Sequence, residues 1–85
     1  MDNLLLKNIN KVHTTEMGEA RITQNLCISS HDIVNWCKKQ IIRPDARIVR
    51  RGKNWYIVIE DKVITVNTSS YTVITAHKIK KEGRV

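Results

Sequence analysis

A single proline divides this chain into two halves with different periodicity. Pro44, in Arg43-Pro44-Asp45, lacks a backbone donor and pushes the residue before it away from helical geometry, so a helix reaching it must stop. Before Pro44 apolar residues recur at three- and four-residue spacing, the signature of helices. After it they alternate, the signature of strands.

The first half predicts three helices. Leu4, Leu5, Ile9 and Val12 mark a short one over about 3–12. Thr14 and Thr15, followed by Glu16, resemble an N-terminal cap for a second over 15–26, whose apolar stripe would include Met17, Ala20, Ile22 and Leu26. Gly18 weakens that helix. Ser29, with Asp32 three residues on, suggests a capping box for a third over 30–41. Its core face would hold Ile33, Val34, Trp36, Cys37 and Ile41, and Lys38 and Lys39 suit its C-terminal dipole.

The second half predicts four strands, 47–51, 55–60, 63–67 and 71–78. The turns between them are short, which implies an antiparallel meander. If Asp61-Lys62 is a two-residue turn, Glu60 pairs with Val63 and Ile59 with Ile64. Trp55, Ile57, Ile59, Ile64 and Val66 then share an apolar face that should receive the helices. Tyr56, Val58, Glu60, Val63, Thr65 and Asn67 share the other. In the last strand Tyr71, Val73, Thr75 and His77 are assigned to that open face, with Thr72, Ile74 and Ala76 toward the core. The expected class is α+β: two to three N-terminal helices on one face of a four-stranded antiparallel meander. With 85 residues the expectation is one domain over 1–78 and a basic flexible tail over 79–85.

Charge is segregated along the same divide. Residues 1–37 carry Lys7, Lys11 and Arg21 against Asp2, Glu16, Glu19 and Asp32, a net of −1. Residues 38–85 carry twelve Lys and Arg against Asp45, Glu60, Asp61 and Glu82, a net of +8. A one-sided excess makes a directional field that attracts phosphate backbones or anionic surfaces.

Several classes fall away. Cys27 and Cys37 are too few for the disulfide framework of a small secreted scaffold. No apolar run approaches the ~18 residues of a membrane span, and the N-terminus has an acid where a signal peptide needs a basic region. The expected compartment is the cytoplasm, with no membrane partner. Cys27, Cys37, His13, His31 and His77 lack metal-ligand spacing, and neither a phosphate-binding glycine loop nor a serine nucleophile elbow is present. No cofactor and no small-molecule substrate are expected.

What remains is the set a metal-free ribonuclease needs: a proton acceptor, a proton donor and cations for the phosphate. His13 and His77 lie at element boundaries, and imidazole transfers protons near neutral pH. Arg50, Arg51 and Lys53 crowd the first hairpin beside Tyr56, which pairs cations with a stacking ring. The same cations equally serve to keep an edge strand from pairing, and either histidine equally serves as a capping or cross-strand residue. Lys78, Lys80, Lys81 and Arg84 add charge without specificity.

Two stretches carry a family resemblance. Leu4-Leu5-Leu6-Lys7-Asn8-Ile9 through Val12-His13-Thr14-Thr15-Glu16-Met17-Gly18 to Asn25-Leu26 is one. Arg50-Arg51-Gly52-Lys53-Asn54-Trp55-Tyr56, then Ile64-Thr65-Val66-Asn67 and Ser70-Tyr71-Thr72-Val73-Ile74-Thr75-Ala76-His77-Lys78, is the other. Together they resemble a family of short bacterial proteins known only as a domain of unknown function. More loosely, helices followed by a meander ending Val73-Ile74-Thr75-Ala76-His77 look like the barnase/EndoU/colicin/RelE-type ribonuclease toxins. That likeness implies a catalytic set of His77, His13, Thr75 and Arg50, with Arg51, Lys53, Tyr56, Asn67, Tyr71 and Lys78 on the nucleic acid. The leading expectation is an RNA-directed protein that cleaves by 2′-hydroxyl attack. The alternatives are a non-catalytic nucleic-acid-binding module and a small phage or mobile-element inhibitor acting on a protein partner. A toxin of this kind would also meet a cognate antitoxin.

Overall fold

The computed structural model describes residues 4–26 and 32–79. Cys27, Ser29, His31 and the tail cations Lys80, Lys81 and Arg84 lie outside the described residues. Three helices, α1 (Leu4–Lys7), α2 (Glu16–Leu26) and α3 (Ile33–Ile41), precede four strands, β1 (Arg47–Arg51), β2 (Asn54–Ile59), β3 (Lys62–Asn67) and β4 (Val73–Lys78). The strands form one antiparallel sheet in the order β1-β2-β3-β4. The fold is α+β, with the helices on one face of the meander.

The expected first helix breaks in two. Asn8 bonds back to Leu4 O through both its backbone N–H and its side-chain amide, at 3.0 and 2.9 Å. A side chain that competes for helical acceptors ends a helix readily. The chain continues as a 3-10 turn over Ile9–Lys11, with Lys11 N–H donating to Asn8 O at 2.8 Å.

α2 begins as the sequence implies, with Gly18 N–H donating to Thr15 Oγ1 at 3.0 Å. Its buried stripe is Gly18, Ile22 and Leu26, whereas Met17 is 67% exposed and Ala20 is exposed too. Gly18 explains the rotation. A Cβ there would collide with Thr14 Oγ1 and lie 3.3 Å from Val73 O, so the glycine is the point where α2 meets β4. α3 starts later than expected, at an Asp32 cap whose Oδ1 accepts from Asn35 N–H at 3.1 Å. It buries Ile33, Cys37 and Ile41, with Trp36 packed beside them.

β2 alternates as its sequence demands, with Trp55, Ile57 and Ile59 buried against the helices. β3 contributes Ile64 and Val66 to the same core. The register between them differs from expectation by two residues: Ile59 pairs with Lys62 and Ile57 with Ile64. The turn is therefore Glu60-Asp61, with Glu60 in the left-handed region at φ 54, and not Asp61-Lys62. A two-residue slip preserves both faces, so the core assignment survives while Glu60 leaves the open face.

In β4 the alternation breaks. Val66 pairs with Val73 but Thr65 pairs with Thr75, so Ile74 is an extra residue, a β-bulge. Val73 and Ala76 are both buried, and Ile74 is 37% exposed. Val73 thus belongs to the core and Ile74 does not, the reverse of the expected assignment. Tyr71, expected on the open face, also turns inward. Its ring centroid is 5.4 Å from that of Trp55, and Lys11 Nζ lies 5.6 Å over its ring.

Candidate nucleic-acid interface

Strand pairing places the open-face side chains in three rows across the sheet. At the β1–β2 turn end stand Arg51, Asn54 and Asn67, continued by Thr72 and then His13. The middle row is Val49, Tyr56, Thr65 and Thr75. The far row is Arg47, Val58, Val63 and His77. Successive rows are two residues, roughly 6.6 Å, apart along each strand.

No acid occurs in any of the four strands, so no carboxylate stands in these rows. Asp45, Glu60 and Asp61 gather beyond the sheet's far end, where they neutralise neighbours. Arg43 makes a two-point contact with Asp45, Nε to Oδ1 at 3.1 Å and Nη2 to Oδ2 at 2.9 Å, and reaches Glu60 at 3.2 Å. These bonds, Glu60's first, hold the Arg43 guanidinium above its ordinary pKa. Lys62 bonds Asp61 at 3.2 Å and holds that carboxyl below its ordinary range. Arg47, Arg51 and Lys53 make no salt bridge among the described residues. Among the described residues no carboxylate neutralises their charge, and all three are exposed.

Beside Arg51, on the inward side of β1, lies a shallow groove of about 380 Å³, lined by Val49, Arg51, Tyr56, Val58 and Val63. Its floor is mostly aliphatic, with one phenol. Tyr56 is half-buried, and its hydroxyl is 3.4 Å from Asn54 Nδ2, toward the basic turn.

The two sheet edges differ. β4's outer edge is occupied by the N-terminal half: His13 bridges Thr72, Thr14 Oγ1 donates to Val73 O at 2.9 Å, and Asn25 Nδ2 donates to Ala76 O at 3.2 Å. β1 has a sheet partner on one side only. The cations and the groove are thus on the open-edged side.

The proposed catalytic set does not converge. His13 Nε2 is 3.1 Å from Thr72 Oγ1, and its Nδ1 is 2.8 Å from Lys11 O. A carbonyl only accepts, so Nδ1 carries a proton. Thr72 Oγ1 is in turn 2.7 Å from Ser70 Oγ. His77 is five residues further along β4 than Thr72, roughly 15 Å away. Thr75 faces the open side but its Oγ1 accepts from Asn25 at 3.4 Å. Arg50 pairs with Trp55 and so points to the helix side. Among the nucleic-acid candidates, Arg51, Lys53 and Tyr56 come together. Asn67 lies in the same end row, but its Oδ1 already accepts from Ser69 and Ser70 N–H at 2.8 and 3.0 Å. Tyr71 and Lys78 are on the helix side. Arg47, Val49, Val58 and Val63 were missed, although the two-residue spacing of Arg47, Val49 and Arg51 was there to read. Among the described residues no group of three His, Cys, Asp or Glu could hold a metal, and no helix is long and apolar enough to cross a membrane.

Over residues 6–77 the chain matches a family model described as a protein of unknown function, DUF3781. The chain belongs to the DUF3781 family. The match takes in the whole sheet down to His77, so the rows described above are part of the DUF3781 unit. No curated protein and no solved structure matches this DUF3781 chain. The looser likeness to ribonuclease toxins has no counterpart in these comparisons, and the family description assigns no activity.

Proposed function

We propose that the open face binds single-stranded RNA along its β1 side and does not cut it. The observation that carries this reading is the face itself: Arg47, Arg51 and Lys53, unneutralised, beside Tyr56 and an aliphatic groove, with no carboxylate in the strands. Cations that track a backbone, together with a ring on which a base can stack, are what single-strand binding requires. Cleavage does not fit this face, because proton transfer needs two groups at one phosphate, and His13 bonds Thr72, which is roughly 15 Å along the strand from His77.

The test is fluorescence anisotropy with a labelled RNA oligonucleotide at rising salt, with the RNA recovered on a gel. The expected result is binding that weakens with salt and leaves the RNA intact. Absence of binding at low salt would sink the reading. Metal-independent cleavage lost in His77→Ala or His13→Ala would restore the ribonuclease expectation.

A second reading has its own observation, the open edge of β1 with Val49 43% exposed at its centre. A protein inhibitor could add an extended acidic segment there by strand addition. A complex with a protein that survives nuclease treatment would favour it.

A further inference from the structure

The groove and the arginines have a definite geometry relative to each other. Arg47 and Arg51 are on one strand and one face, four residues and roughly 13 Å apart, with Val49 between them. Across the strand gap, Val49 pairs with Tyr56 and Arg47 with Val58. The aliphatic groove is thus beside the interval between the two guanidinium groups, on the inward side, and the open edge is on the outward side.

From this geometry we infer that the open face is a site for one nucleoside together with its two flanking phosphates. The inference rests on the RNA-binding reading and deepens it. The backbone runs along β1, where solvent keeps the remaining phosphates hydrated. Arg47 takes one phosphate and Arg51, with Lys53 behind it in the turn, takes the next. The long guanidinium arms close the Cα span onto the two phosphates. The base between them turns inward over Val49 and rests on Tyr56, Val58 and Val63.

The groove's size matches one nucleoside: about 380 Å³ holds one base with its sugar. The lining limits selectivity. Apart from Arg51 its only polar group is the Tyr56 hydroxyl, already 3.4 Å from Asn54 Nδ2. Tyr56 accepts from Asn54 and keeps its own O–H to donate, but one rotatable hydroxyl over an aliphatic floor reads a π-face and not a full base edge, so the site should tolerate all four bases. Burial of the ring, not hydrogen-bond readout, then separates a nucleotide from a bare sugar phosphate.

The probe is a nucleoside 3′,5′-bisphosphate, which is one nucleoside with two flanking phosphates, against the abasic ribose bisphosphate of equal charge. Both are titrated into the isotope-labelled wild-type protein and followed by NMR. The expected result is that shifts for the nucleoside compound centre on Val49, Tyr56, Val58 and Val63. Its affinity should exceed that of the abasic compound by about tenfold, and Tyr56→Ala should remove most of that difference. Equal affinity for the two compounds would overturn the inference, because only phosphates would then be recognised. Shifts elsewhere, with oligonucleotide binding intact, would overturn it too. If neither the oligonucleotide nor the bisphosphate binds, the RNA reading falls with it. The abasic comparison uses the wild-type chain, so it does not depend on a variant folding.

Discussion

Val66 of β3 pairs with Val73 of β4, while Thr65, one residue earlier, pairs with Thr75. The one residue left over, Ile74, decides which side of the sheet the end of the chain presents. With it in place Val73 and Ala76 both enter the core and Thr75 and His77 both face outward. Without it, strict alternation would bury either the valine or the alanine, not both.

Adjacent alanine substitutions should therefore differ sharply. Val73→Ala is expected to cost about 2 kcal/mol, because the side chain is fully buried under α2. Ile74→Ala, at the exposed bulge, is expected to cost less than about 1 kcal/mol. Urea unfolding of the two variants checks the order. The reverse order would mean that β4 alternates regularly and that the bulge is absent.

Much of the fold was legible because the periods were clean. Trp55, Ile57 and Ile59 alternate without interruption, so their face could be read, and even a two-residue slip in the β2–β3 turn left it unchanged. β4 was not legible for a physical reason: a bulge inserts one residue without leaving a glycine or proline to mark it. Tyr71 was misread as a result, and its left-handed φ of 59 is a backbone state no local pattern announces for a tyrosine. Met17 was placed in the core because spacing alone cannot show that Gly18 is where β4 comes closest. For the site, clustering in the sequence marked Arg51 and Lys53, but Arg50 was grouped with them only because neighbours in a strand look alike until alternation is applied.

Tyr71 is expected to matter for stability and not for RNA. It packs on Trp55 and lies under Lys11, so Tyr71→Ala should cost about 2 kcal/mol. Oligonucleotide affinity per folded molecule should stay at the wild-type value. Thermal unfolding beside anisotropy separates the two effects, and a large affinity loss at unchanged stability would place Tyr71 on the ligand.

Burial pushes the Cys37 thiol up to about 12 from an ordinary 9.0. Above pH 9 the unfolded thiol releases its proton and the folded one keeps it, so the unfolded state gains and stability falls as pH rises. The effect is absent below the unfolded pKa. The stability difference between wild type and Cys37→Ala should shrink by about 1.4 kcal/mol per pH unit above pH 9. Both proteins carry Cys27, so its titration cancels. Parallel stability curves through pH 10.5 would show that the thiol is reached by solvent.

β1 should resist pairing with a second copy. An antiparallel pair centred on Val49 would set Arg47 directly opposite Arg51 on the same face, twice, and like charges opposed across strands repel. Wild type is expected to sediment as a monomer, and Arg47→Thr combined with Arg51→Thr is expected to associate at high concentration. A double variant that stays monomeric would mean that the arginines do not guard this edge, and the phosphate role would remain their only explanation.

The most direct test of the central claim is the salt dependence of RNA binding. For single strands the slope of log affinity against log salt is about −0.7 per neutralised phosphate. Replacing Arg47, Arg51 and Lys53 together by Ala frees two phosphates and should reduce the slope's magnitude by about 1.4, while Arg43→Ala, in the self-neutralised cluster at the far end, should leave it unchanged. An unchanged slope in the triple variant would contradict the claim that the β1 side of this sheet meets the phosphates.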